Sequence, residues 1–213
     1  AMHHNEDMWD MGGLRSKMPL TYYTFLSGSL ALAGIFPFAG FWSKDEVLYE
    51  TLLHGLDGDP ILLAAYAMGL VAVFFTGLYT FRMVFLTFHG DARSATAEDP
   101  HGVRWNVKFP LAVLGVLAAV TGFVNMVPVK KVTGLEIDYL HKWLEHGYAG
   151  LTVEHYGTLL HDFPGYGAAG LELSPLGPGA VSLGLALAGA FVAHRLYNVP
   201  DPAEHTDRLG EIK

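Results

Sequence analysis

Charged residues along this chain are set apart by uncharged blocks, and the blocks are of membrane length. No formal charge occurs in the 24 residues from Leu20 to Ser43, or in the 22 from Pro60 to Phe81. The same holds from Phe109 through Val129, and over 21 residues from Leu173 to Ala193 with histidine counted neutral. A helix needs about 20 mostly apolar residues to cross a bilayer. The pattern therefore predicts an all-α fold of polytopic membrane helices with about four spans.

The first block is built differently from the rest. Leu30 to Phe41 is apolar but punctuated by Gly34, Pro37 and Gly40, and Lys44-Asp45-Glu46 follows at once. Proline lacks an N–H and its ring clashes with the preceding turn, so the helix is expected to break around residues 34–40. In a bilayer, a broken backbone is tolerated only where protein buries it or where it lines a wet cavity. The apolar sequence then resumes with Val47, Leu48, Tyr49, Leu52 and Leu53. This places Lys44 inside a second half-helix reaching His54, where a charge marks function more often than an interface.

The remaining segments fall into place around that span. Residues 1–18 form a loop, and residues 19–127 hold three membrane helices, the broken one included. Asp59 is positioned to cap the second of these, with Pro60 at its first turn. Arg82, near the end of that helix, reads as a snorkelling interfacial anchor. Residues 128–174 make a long connection, in which Leu140, Trp143, Leu144 and Tyr148 recur near helical spacing and predict a short interfacial amphipathic helix. A fourth span covers 175–197, and a polar tail takes 198–213. Basic residues cluster at 15–17, 93–108 and 195–213, so the positive-inside rule places both termini on the cytoplasmic or matrix side.

Composition narrows the chemistry. The chain is 51% hydrophobic and only 16% charged, with a net charge of −8, which argues against a nucleic-acid partner. It has no cysteine, which excludes disulfides, thiolate metal sites and iron–sulfur ligation. Eleven histidines are present, but neither His3–His4 nor His141–His146 has the i, i+4 spacing of a helical metal site. No metal and no cofactor is expected, and no phosphate loop or nucleophile elbow is present. The opening residues, Ala1 to Asp7, lack a signal peptide's pattern and read as a loop already under way, so a fragment is expected.

That leaves Lys44-Asp45-Glu46 as the chemical candidate. Neighbours on a helix point about 100° apart, so the three cannot all face one route. Burial and the positive N-terminal end of the second half-helix oppose a charge on Lys44. Asp45 and the free carbonyls of the first half-helix support it. Such balanced pressures suit a residue that takes up and gives back a proton.

These residues also carry a family likeness. Met11-Gly-Gly-Leu14, Lys17-Met-Pro19, Gly28 to Gly34, Pro37-Phe-Ala-Gly-Phe41 and Ser43-Lys-Asp-Glu46 closely resemble the large distal antiporter-like subunit of respiratory complex I. Tyr79 to Phe85 and Phe88-His-Gly90 resemble the next helix of that family. The likeness is densest over residues 8–54, thinner to about 125, and weak beyond. It implies that Lys44 is the central lysine of a membrane proton path, with Asp45 and Glu46 in the same relay and Gly34, Pro37 and Gly40 at the helix break. It further implies other complex I membrane subunits and the lipid bilayer as partners, and protons as the only small-molecule substrate. The location would be a bacterial inner membrane or the mitochondrial inner membrane. The family's other path residues would lie before Ala1 and its long lateral helix after Lys213. Subunits of multisubunit Na⁺/H⁺ antiporters share the Lys-Asp-Glu region and form the alternative, beside a structural membrane module without its own route.

Overall fold

The computed structural model describes residues 6–124 and 173–199, which form helices and no strand. The described helices are α1 (Leu14–Lys17), α2 (Pro19–Ala33), α3 (Ala39–Leu56), α4 (Pro60–Phe88), α5 (Ala95–Glu98), α6 (Trp105–Val120) and α7 (Leu176–Tyr197). Short 3₁₀ turns occupy Met8–Asp10 and Thr121–Val124. The long connection, with its expected amphipathic helix, and the polar tail lie outside the described residues. Three helical stretches are long and apolar enough to cross a membrane: α4, α6 with its 3₁₀ extension, and α7. The chain is an all-α polytopic membrane protein.

The expected first span is two helices. α2 starts with Pro19 in its first turn, where the missing N–H costs nothing. It stops at Gly34, whose φ of +73° is left-handed backbone that glycine adopts without a β-carbon clash. The Gly34 N–H donates to Ala31 O at 3.1 Å and the Ile35 N–H to Leu30 O at 3.0 Å, which closes the helix end. The terminator is thus Gly34 rather than Pro37. Pro37 lies in the connection, preceded by a cis peptide bond, and its carbonyl accepts from Trp42 Nε1 at 3.1 Å. Gly40 lies beyond the break, in the first turn of α3. A β-carbon there would collide with the Ala31 carbonyl, so its bareness lets α3 start against the last turn of α2.

Small residues set the other helix contacts. Lipid is as apolar as leucine, so membrane helices associate through close van der Waals packing and interhelical hydrogen bonds. The broadest contact is α4 on α7, where Gly77 faces the Ala186 backbone and Gly189 faces that of Phe74. α6 lies on α2, with Ser27 Oγ donating to Gly115 O at 2.6 Å and Gly115 against Thr24. On α4, Gly69 leaves room for a Leu48 methyl from α3.

The end bearing the basic loops is tied by backbone contacts. Asp59 caps the start of α4 through Ile61 N–H at 2.9 Å. At its other end, Arg93 donates to Trp9 O at 2.7 Å, to Met8 O at 2.9 Å and to Leu86 O. Lys17 Nζ donates to Ala97 O at 2.8 Å and Glu98 O at 2.6 Å, closing α5. Arg82 does not reach out as an anchor. Its guanidinium lies 5.3 Å from the Tyr197 ring and 5.9 Å from that of Trp9, because the N-terminal turn and the end of α7 fold over it.

A lysine at the helix break and a buried carboxylate beside it

Lys44 stands in the second turn of α3 and reaches back across the break. Its Nζ donates to Leu32 O at 3.2 Å and Ala33 O at 3.1 Å, the open carbonyls at the end of α2. Those carbonyls have no intrahelical partner and carry the negative end of the helix dipole, so a cation is favoured there. Gly34 makes the approach possible: a β-carbon there would lie 3.1 Å from Nζ. One residue thus ends the helix and leaves room for the lysine that caps it.

The stem of Lys44 borders an open cleft between α3 and α4, about 380 Å³ in volume. Ser43, Val47 and Leu48 line one wall, and Gly69, Ala72, Val73 and Thr76 the other. The space accommodates several waters beside an otherwise apolar wall.

Asp45 turns the other way, as a step of about 100° requires. It is only 7% exposed, and neither carboxylate oxygen has a hydrogen-bond partner of full geometry. Its Oδ2 lies against Gly179 of α7, where a β-carbon would come within 3.1 Å. The buried Ser182 hydroxyl, one turn further along α7, interacts with the carboxylate, as do Lys44 and, from α4, Tyr66. Glu46 is half-buried on the next face of α3 and Glu50 is exposed. The break thus brings Lys44 together with Gly34 and places Asp45 against α7, while Pro37 and Gly40 shape the connection between the half-helices.

Ser182, Gly179 and Tyr66 are absent from the sequence-based candidates. In sequence, Gly179 and Ser182 are two uncharged residues of the fourth span with nothing to single them out. The signal that marks them is their i, i+3 spacing, which puts both on one helix face, but that face has meaning only once α7 is seen against α3.

A second polar group lies at the basic-loop end. Tyr22 Oη lies 3.4 Å from His89 Nε2, and Asn198 Nδ2 lies 2.9 Å from His194 Nε2. Both imidazoles pack edge-on against the Phe85 ring. Burial, then Arg15 and His194, hold His89 below the ordinary value of 6.5, against a weaker opposing hydrogen bond with Asn198.

Comparison with known proteins converges on one family. Residues 1–76 match the family described as NADH:quinone oxidoreductase/Mrp antiporter, TM. NADH-quinone oxidoreductase subunit L of Pseudomonas aeruginosa is 42% identical over 135 residues, covering 62% of this chain and 20% of that protein. The Escherichia coli subunit L is 38% identical over 142 residues, 66% of this chain and 22% of its own length. The chloroplastic NAD(P)H-quinone oxidoreductase subunit 5 of Marchantia polymorpha is 49% identical over 97 residues, 45% of this chain and 13% of its own. The chain thus spans about a fifth of the length of the curated relatives it matches.

Proposed function

We propose that this chain, which is similar to the antiporter-like membrane subunits of NADH:quinone oxidoreductase, forms part of a proton route across the membrane. Lys44 takes up and releases the proton at the helix break, and Asp45 governs how readily it does so. Glu46, half-buried on the adjoining face, belongs to the same polar segment. Protons are the only substrate of these residues. Electron transfer, and the free energy it supplies, belongs to other subunits of the complex. Those subunits are the membrane partners of this chain, and the membrane is a bacterial inner or mitochondrial inner one.

The observation that supports this reading most is the seating of Lys44. Its ammonium rests on two carbonyls of an interrupted helix while its stem borders an open cleft. The carbonyls stabilise the charged state and the apolar wall opposes it, the pair of opposed influences that proton exchange at this lysine requires. The names of the relatives favour the oxidoreductase over the Na⁺/H⁺ antiporter branch.

The competing explanation is that Lys44 merely caps α2, and Lys44→Arg separates the two. Arginine keeps the charge and can donate to both carbonyls, yet it does not deprotonate in proteins. A capping role therefore predicts normal proton pumping in membrane vesicles. A carrier role predicts an assembled complex with impaired pumping.

A further inference from the structure

Buried carboxylates are normally hydrogen-bonded, because a charge without a donor is costly in a low-dielectric interior. Asp45 departs from this, being 93% buried (7% exposed) with both oxygens lacking a full hydrogen bond. It is aimed at the one stretch of α7 that offers neither bulk nor charge. Gly179 leaves space directly over Oδ2, and Ser182, only 3% exposed, presents a hydroxyl from the same face. Tyr49, one turn beyond Asp45, donates to Leu173 O at 2.5 Å, which fixes α3 against the start of α7.

We infer that Ser182 is a positioning residue for the proton carried at the break, with Asp45 and Ser182 forming a second proton-holding station between α3 and α7. A hydroxyl both donates and accepts. When Asp45 is ionised, the Ser182 O–H donates to Oδ2. When Asp45 carries a proton, the carboxylic O–H donates to Ser182 Oγ instead. The proton count balances: Asp45 gains one proton and later gives it up, and with each change the Asp45–Ser182 hydrogen bond reverses direction. Gly179 keeps the space over Oδ2 open for that exchange. Among the described residues, Lys44 on α3 and Tyr66 on α4 are the titratable groups that interact with Asp45, and α7 brings none. The inference rests on the proposed role of Lys44 and adds α7 to the site.

The test uses the intact complex in membrane vesicles, with assembly and quinone reduction measured beside proton pumping across a pH series. Ser182→Ala removes the hydroxyl that α7 presents to Asp45, so Asp45 keeps its proton to higher pH. The pumping profile should shift alkaline by about half to one pH unit, the equivalent of one ordinary hydrogen bond. Ser182→Thr retains the hydroxyl and should restore the profile. Ser182→Cys, close in size to serine, should shift it as alanine does and decides the matter if the alanine variant fails to assemble. An assembled Ser182→Ala or Ser182→Cys enzyme with the wild-type profile overturns the inference. If Lys44→Met silences pumping while the Ser182 variants leave the profile untouched, this inference alone fails. If Lys44→Met pumps normally, the Lys44 reading fails with it.

Discussion

At Gly34 a left-handed backbone and a lysine share one small space, so substitution there acts on both. Gly34→Ala places a β-carbon on a φ of +73° and 3.1 Å from Lys44 Nζ. The backbone strain costs about 1–2 kcal/mol, and the ammonium is pushed off its carbonyls. We expect an assembled complex with lower thermal stability and reduced pumping, whereas wild-type values for both would contradict this geometry. His89 gives a pH-dependent counterpart at the opposite end. Its folded value lies below 6.5, so the unfolded state binds more protons as pH falls through that window. The stabilising contribution is whole above about 6.5 and is lost progressively as pH drops toward the lowered value. Protection of the amides at the end of α4, corrected for intrinsic exchange, should therefore fall on acidification in the wild type and lose that dependence in His89→Gln. Gly34 and Lys44 were legible in the sequence because glycine, proline and charge act locally on a helix. Ser182 was not, because its partnership with Asp45 arises only when helices distant in sequence pack together.

At the scale of elements, caps and helix lengths follow from local chemistry, and crossings do not. Asp59-Pro60 announces the start of α4, which continues past the uncharged block through Arg82 to Phe88. Arg93 read only as one of several basic residues on the cytoplasmic or matrix side, yet it joins the N-terminal turn to the end of α4 through three backbone carbonyls. Arg82 likewise changes from an anchor into a ring-stacked residue, since nothing within α4 foretells Trp9 or Tyr197 above it. The α4–α7 crossing depends on missing side chains. Gly189→Leu would drive four heavy atoms into the Phe74–Leu78 backbone, where even a β-carbon collides. Overpacking of this kind typically costs about 1–3 kcal/mol. The expected outcome is a lower melting temperature and loosened assembly, read by native gel and thermal scan; unchanged values would show that α7 can pack elsewhere.

Among the described residues, the outward faces of α4 and α6 are apolar, and charged groups lie at the break and at the helix ends. Ile61, Met68 and Phe75 on α4, and Trp105 and Leu114 on α6, are all more than half exposed. A water-soluble protein rarely presents such a surface, whereas lipid and neighbouring membrane helices cover it at no cost. The chain spans about a fifth of its relatives' length, and in the proposed function it contributes part of a proton route. The account places the proton-carrying step of that part at Lys44. The most direct measurement is the proton-to-electron ratio of an assembled Lys44→Met complex in sealed vesicles, with NADH oxidation and pumping recorded together. Methionine retains an unbranched, flexible side chain and removes the titratable nitrogen. The account predicts a lowered ratio, with electron transfer slowed where coupling is tight. A complex that assembles, oxidises NADH and pumps at the full ratio without Lys44 would contradict it.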